Sequence, residues 1–326
     1  MTTRTHVTLP LLLALSAGLP AAHGAAQEYP TKPVRLLVGS SAGGGGDILA
    51  RSVIQRLNET LGQPVIIDNR GGAGGAIACE IAARAAPDGY TLLIASVGML
   101  AINPALFPQL AYKPMQDFAP VTLLAETPYA LVVHPSLPAR SVKELVAHLR
   151  ERPGQLNFAS GGAGTGNHFS GELFKLAAGV NITHVPFKGT GPALADVIAG
   201  RVQIMFGNLI AAMPQVKSGR LRLLALTSAK RSGSAPDVPT VAESGYTDFQ
   251  TTTWHGLLAP TGTSKAIVTR LGANMVKILR QPDIAERLAS QGTETIVSTP
   301  ESFAEHLKIE TAKWARVVKQ AGIKAE

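Results

Sequence analysis

The chain is short of several things, and each shortage removes a class of function. It has a single cysteine, Cys79, in 326 residues. No intramolecular disulfide and no cysteine-based metal cluster can form. Cys79 falls in an alanine-rich helical stretch and reads as a small buried thiol rather than a nucleophile. Aromatic residues make up 5% of the chain and charged residues 16%. No basic block with interleaved aromatics occurs. The formal charge of +8 therefore reads as a solvated surface with a mild pull on acidic small molecules, and no nucleic-acid partner is expected. GxxxxGK followed by Ser or Thr, the phosphate-cradling pattern, is absent, as is the zinc pattern HExxH. His134, His168, His184 and His255 are spread out without metal-ligand spacing. Gly72-Ala73-Gly74-Gly75-Ala76-Ile77 begins like the dinucleotide pattern GxGxxG but ends on Ile77. The reading that follows is of no enzyme, no metal and no cofactor.

Long apolar runs are scarce too. Residues 7–19 form a stretch too short to span a bilayer. Arg4 precedes it, and small residues ending in Gly24-Ala25-Ala26 follow it. This is the pattern of a signal peptide, residues 1–26, cleaved after Ala26. The mature chain is then expected in the periplasm, soluble and without a lipid anchor, since no cysteine stands at the cleavage site.

Glycine is what the chain has in quantity, 33 residues of it. Residues 34–38, VRLLV, read as a short buried strand. A glycine turn covers residues 39–46. Asp47 then falls where a helix N-cap belongs, with Ile48, Leu49, Val53, Leu57 and Leu61 at helical spacing behind it. Strand, glycine turn and helix N-terminus together make an anion site: backbone N–H groups converge, side chains are absent and the helix dipole favours negative charge. A glycine-rich tight turn with no guest is the plainer reading. Four consecutive glycines, Gly43, Gly44, Gly45 and Gly46, carry an entropic cost that favours close approach of a ligand to the backbone.

The same device recurs along the chain. Residues 64–67 form a second strand, residues 71–75 a second glycine turn, and residues 76–86 a helix. A third strand, residues 91–95, runs into Ser96-Val97-Gly98. Strands alternating with helices over short links predict a parallel sheet covered on both faces, with ligands at the strands' C-terminal edge. Residues 121–133 read as an extended crossover into a second unit, which opens with the capping box at Ser141 and Glu144. Strand 156–159 leads into the glycine turn 160–166, a helix over 167–178, strand 182–185, a helix closed by Gly200, and strand 202–206 ahead of Gly207-Asn208. Strand 221–226 and a polar link over 227–239 follow, then a helix cap at Thr240 and Glu243. Residues 249–258 read as the return crossover, and two helices, 264–280 and 299–320, close the chain. The expected division is lobe 1 from residues 27–126 and 250–326, and lobe 2 from residues 127–249. Two lobes joined by a two-stranded hinge suit a trap that closes on its guest.

Several stretches then match a known family: YPTKPVRLLVG and AGGGGDILAR (29–39, 42–51), PVIIDNRGGAGGAIA (64–78), PDGYTLLIAS (87–96) and AINP (101–104). In the second half they are SGGAGTGNHFSGELFK (160–175), HVPFKGTGPALADVIAGRVQIMF (184–206), PDVPTVAESGY (236–246) and WHGLLAPTGT (254–263). In this order the chain resembles the Bug family, the extracytoplasmic substrate-binding proteins of tripartite tricarboxylate transporters. The resemblance implies a two-lobed, type II periplasmic-binding-protein-like α/β fold, each lobe a sheet flanked by helices. It implies a monomeric receptor for a small organic carboxylate, a di- or tricarboxylate or an aromatic acid, which delivers its guest to membrane transporter subunits. It places the site at Ser40, Ser41, Gly43, Gly44, Gly45, Gly46 and Asp47, and at Ser96, Val97 and Gly98. From the second lobe it adds Ser160, Gly164, Thr165, His168 and Asn208. His168 is expected to face the cleft from the first turn of its helix, while Asp47 caps its own. The family often has Asp where Gly207 stands here, which argues against an amino-acid guest. Two other readings share the fold: a sensory binding protein that presents its ligand to a membrane regulator, and a secreted hydrolase using Ser160 and His168 as nucleophile and base.

Overall fold

A computed structural model describes residues 1–3 and 29–321. The signal-peptide reading thus falls almost wholly outside the described residues. In chain order the elements are β1 (Val34–Val38), α1 (Gly45–Leu61), β2 (Val65–Asn69), α2 (Ala76–Ala83), β3 (Thr91–Ser96), α3 (Asn103–Leu106), α4 (Pro114–Asp117) and β4 (Phe118–Val133). The second lobe contributes α5 (Val142–Glu151), β5 (Asn157–Ser160), α6 (Gly166–Ala178), β6 (Thr183–Pro186), α7 (Thr190–Ile198), β7 (Ile204–Asn208), α8 (Leu209–Lys217) and β8 (Arg222–Leu226). The chain closes with β9 (Thr252–Pro260), α9 (Lys265–Leu279), α10 (Pro282–Ser290), β10 (Glu294–Thr295) and α11 (Pro300–Ala321).

The strands pair in the order β2-β1-β3-β9-β4-β7-β5-β6, with β8 and β10 also on β4. β4 is the shared strand. Its residues 118–128 run antiparallel to β9, and its residues 129–133 pair with β7 and β8. Thr227 stitches the crossing: its hydroxyl accepts the Tyr129 N–H at 2.8 Å and donates to the Thr251 carbonyl at 2.6 Å. The outgoing and returning chains are thereby tied at one residue. The result is a two-lobed periplasmic-binding-protein-like α/β fold.

Both faces of each sheet are covered, which explains the continuous apolar runs. Val34, Leu36 and Val38 pack into one cluster with α1 and α9, while Leu37 points the other way, toward α2 and α11. β3 splits likewise, Leu92 and Ile94 against Leu93 and Ala95. In the second lobe Leu131 and Val133 face α5 and α6, and Ala130 and Val132 face α7 and α8. This is the period-two alternation of a strand with no solvent face.

Local signals mostly act as their chemistry dictates. Gly62 ends α1 in the left-handed region, φ 68°, and its N–H returns to the Asn58 carbonyl. Ser141 accepts the Glu144 N–H and caps α5. Other expectations are corrected. Gly44, not Asp47, is the N-cap of α1. Asp47 lies inside the first turn and reaches back to the Gly43 N–H at 2.9 Å. Thr240 and Glu243 do form a reciprocal capping pair, at 2.9 and 3.0 Å. Only a turn follows them, because Gly245 takes φ +110° and ends the helical path. α2 stops at Ala83, short of residue 86. α3, α4, α8, α10, β10 and a π-helical turn over Gly98–Ile102 are additional to the sequence expectation.

Candidate functional site

The C-terminal ends of β1 and β3 in one lobe face those of β5 and β7 in the other. A cavity of about 50 Å³ lies between them. One wall is Ser40 with Gly45 and Gly46 at the start of α1, Ser96 at the end of β3, and the turn Gly72, Gly74 and Gly75. The other is Gly161, Thr165, Gly166 and Asn167 at the start of α6, with Gly189, Thr190 and Asn208. Thr253 and His255 of β9 form the floor, at the hinge.

Two helices thus begin at the cavity, one from each lobe, and each presents free N–H groups and a positive dipole end. Glycine is required where they meet. A Cβ on Gly45 would overlap the Asn208 side chain, and one on Gly74 would stand 2.6 Å from the Ala163 carbonyl oxygen of the opposite lobe. Asn167 organises the second wall. Its Nδ2 donates to the Phe206 carbonyl at 2.7 Å, and its Oδ1 accepts from the Thr190 hydroxyl at 3.4 Å. Ser40 Oγ is shut off from solvent and has no hydrogen-bond partner among the described residues. Among the described residues no lysine, arginine, aspartate or glutamate lines the cavity. The lobes touch around it: Gly191 N–H donates to Ser41 Oγ at 3.3 Å, and a Cβ on Gly98 would lie 3.0 Å from the Gly164 carbonyl oxygen. The arrangement can hold an anion through neutral donors.

The profile of the tripartite tricarboxylate transporter family receptor matches residues 49–323. The chain belongs to that family. BugT of Bordetella pertussis is 37% identical over 323 residues, covering 99% of this chain and 98% of BugT. Among solved structures, R. palustris Rpa4515 with adipate superposes with a TM-score of 0.89 at 39% identity, over 91% of this chain and 99% of that one. MatC (Rpa3494) from Rhodopseudomonas palustris with bound malate gives 0.85 at 36% identity, over 89% and 100%. The resemblance read from the sequence motifs holds over nearly the whole chain.

Within this receptor the residues expected at the site separate into two groups. Ser40, Gly45, Gly46, Ser96, Thr165 and Asn208 line the cavity. The others stand behind or beside it. Gly43 is a surface turn residue with φ +76°, and Gly44 caps α1. Ser41 belongs to the contact between lobes. Asp47 is buried and paired with Arg51 at 3.0 Å. Val97 and Gly98 are buried in the π-helical turn region. A Cβ on Gly164, at φ +80°, would strike Asn103, so a side chain there reports on the lobe contact rather than on a guest. His168 is turned away from the cleft. It stacks on His184 with ring centroids 4.1 Å apart, and burial pushes its pKa down to about 3. The reason is helical geometry: Asn167 faces the cavity, and one residue further on a helix rotates by about 100°. Ser160 meets His184 Nε2 at 2.6 Å, not His168.

Residues 39–43, GSSAG, also fit the spacing G-x-S-x-G of a hydrolase nucleophile turn between strand and helix. Ser41 nevertheless has no positive φ, and its hydroxyl is occupied by the Gly191 N–H. Gly72, Gly74, Gly75, Gly189, Thr190, Thr253 and His255 also line the cavity and were not anticipated. Gly189 and Thr190 carried the glycine-turn signal that marked the others. Thr253 and His255 gave none, since they read as part of an extended crossover.

Proposed function

We propose that the chain is a periplasmic solute receptor, not an enzyme, that closes its two lobes on a small organic carboxylate and hands it to membrane transporter subunits. The observation that carries this reading is the cavity between two opposed helix N-termini, with the Ser40 hydroxyl unpartnered inside it. A carboxylate supplies the acceptor oxygens that the hydroxyl and the free N–H groups lack. Related receptors solved with adipate and with malate support the ligand class. Among the described residues no helix is long and apolar enough to cross a membrane.

The proposed lobes are residues 27–126 with 250–326, and residues 127–249, and the receptor acts as a monomer once residues 1–26 are removed. The direct ligand contacts are Ser40, Gly45, Gly46, Ser96, Thr165 and Asn208, together with Asn167 and Thr190. Ser41, Gly98 and Gly164 serve the closed contact between lobes, and access for a guest requires that contact to part about β4 and β9. A thermal-shift screen of the mature chain against mono-, di- and tricarboxylates, aromatic acids and amino acids tests the reading. A melting temperature that rises with concentration for one carboxylate class supports it. A shift confined to uncharged solutes sinks it.

A further inference from the structure

A carboxylate bound in this cavity meets no fixed cation, since no lysine or arginine lines it. The helix ends offer roughly half an elementary charge each. A dicarboxylate would leave about one charge uncompensated by that count, and burying such a charge is costly. One lining residue, His255, carries a side chain whose ordinary pKa lies near neutral pH.

His255 is placed to answer that charge. It sits on β9, opposite Ser96 of β3 and Ala125 of β4, and is 6% exposed. Its Cδ2 lies 3.5 Å from where a Cβ on Gly46 would stand, so the bare glycine turn is what brings the ring against the head of α1. Among the described residues no hydrogen bond engages the ring. β3 presents the uncharged Ser96. On β4 the nearest carboxylate is Glu126, opposite Trp254. On α1 it is Asp47, taken up by Arg51 and the Gly43 N–H. Neither perturbs the imidazole: burial alone pushes its pKa down to about 4. The empty site therefore holds a neutral ring at pH 7.

We infer that His255 takes up a proton from solvent when the guest binds, so that the ligand is held as an imidazolium–carboxylate pair at the hinge floor. This deepens the carboxylate-receptor reading and rests on it. The proton moves from buffer to a ring nitrogen, and no covalent bond is made. The complex binds more protons than the empty receptor. Affinity therefore falls as pH rises, by up to about tenfold per pH unit between the empty and the liganded pKa of the ring.

Isothermal titration of the mature receptor with adipate, and with malate, at pH 6 in buffers of different ionisation enthalpy measures the protons taken up. The wild type should take up more protons than H255Q, the difference approaching one per ligand. Wild-type affinity should also fall several-fold more than that of H255Q between pH 6 and pH 7. Equal proton counts in the two proteins overturn the inference and leave the carboxylate reading standing. No binding heat with either acid overturns both. Should H255Q fold poorly, imidazole ¹⁵N shifts of the wild type decide: an imidazolium pattern in the adipate complex supports the inference, and an unchanged neutral pattern overturns it.

Discussion

Replacing Ser40 by Ala should move stability and affinity in opposite directions. In the empty receptor the Ser40 hydroxyl is hidden from solvent and has no hydrogen-bond partner among the described residues. A buried unsatisfied polar group costs about 1–3 kcal/mol. Removing it should leave the empty protein as stable as before, or up to about that much more stable. In the proposed complex the same hydroxyl would donate to a carboxylate. A hydrogen bond to a charged partner contributes about 1.5–3 kcal/mol. Its loss should raise Kd roughly tenfold to a hundredfold, at 1.4 kcal/mol for each factor of ten. Urea unfolding of the ligand-free variant gives the first quantity, and calorimetric titration with the best acid from the screen gives the second. The Ala variant keeps the backbone of the turn, so the helix N-terminus remains available in both experiments. A variant that is clearly destabilised but binds with unchanged Kd would refute the reasoning: Ser40 would then hold the turn together instead of holding the guest.

Three further outcomes are expected. Gly45→Val should leave the separated lobes intact and prevent their closure, because its side chain would meet Asn208 across the cleft. Binding should drop more than a hundredfold, and small-angle scattering with saturating ligand should show no compaction. Glu310 accepts the indole N–H groups of Trp254 at 2.9 Å and Trp314 at 3.0 Å, fastening α11 to β9. Glu310→Ala leaves both donors buried without their acceptor, and tryptophan-monitored urea unfolding should register a loss on the order of 1–3 kcal/mol. The third outcome concerns pH. His168 is held neutral, its pKa falling from 6.5 in the unfolded chain to about 3 in the native one. The unfolded state binds the extra proton between those values, so stability is flat above about pH 6.5 and declines as pH drops toward 3. Urea midpoints at pH 7 and pH 5 should differ more in the wild type than in His168→Gln, and equal slopes would count against the burial of that ring.

The extent to which the site could be read from the sequence follows the range of the signals involved. β1 and β3 were legible because a strand buried on both faces is a continuous apolar run, and α1 because Val53, Leu57 and Leu61 keep a helical period behind a glycine turn. The glycine turns themselves located the cavity's walls, since a strand entering a helix through residues without side chains leaves backbone donors exposed. α8 was not legible: Pro214 stands inside it and its apolar residues are nearly continuous, which erases the periodicity. The capping pair at Thr240 and Glu243 was real, yet a cap supplies about 1 kcal/mol and cannot carry a helix past Gly245.

Sequence alone therefore determined the class of fold, the family, and the place of the glycine turns between strand and helix. These depend on neighbours within a few residues of each other, where propensity and periodicity act. Tertiary structure alone decided which side chains meet. It set Asn167 against Asn208 and Thr190, stacked His168 on His184 away from the cleft, and gave Ser160 to His184. It also brought His255 from the hinge strand to the cavity floor, more than 200 residues after the turn it faces. A rotation of about 100° per helical residue, or a one-residue step along a strand, decides whether a side chain enters the site or the core. That angle is fixed only when the two lobes and the strands joining them are assembled.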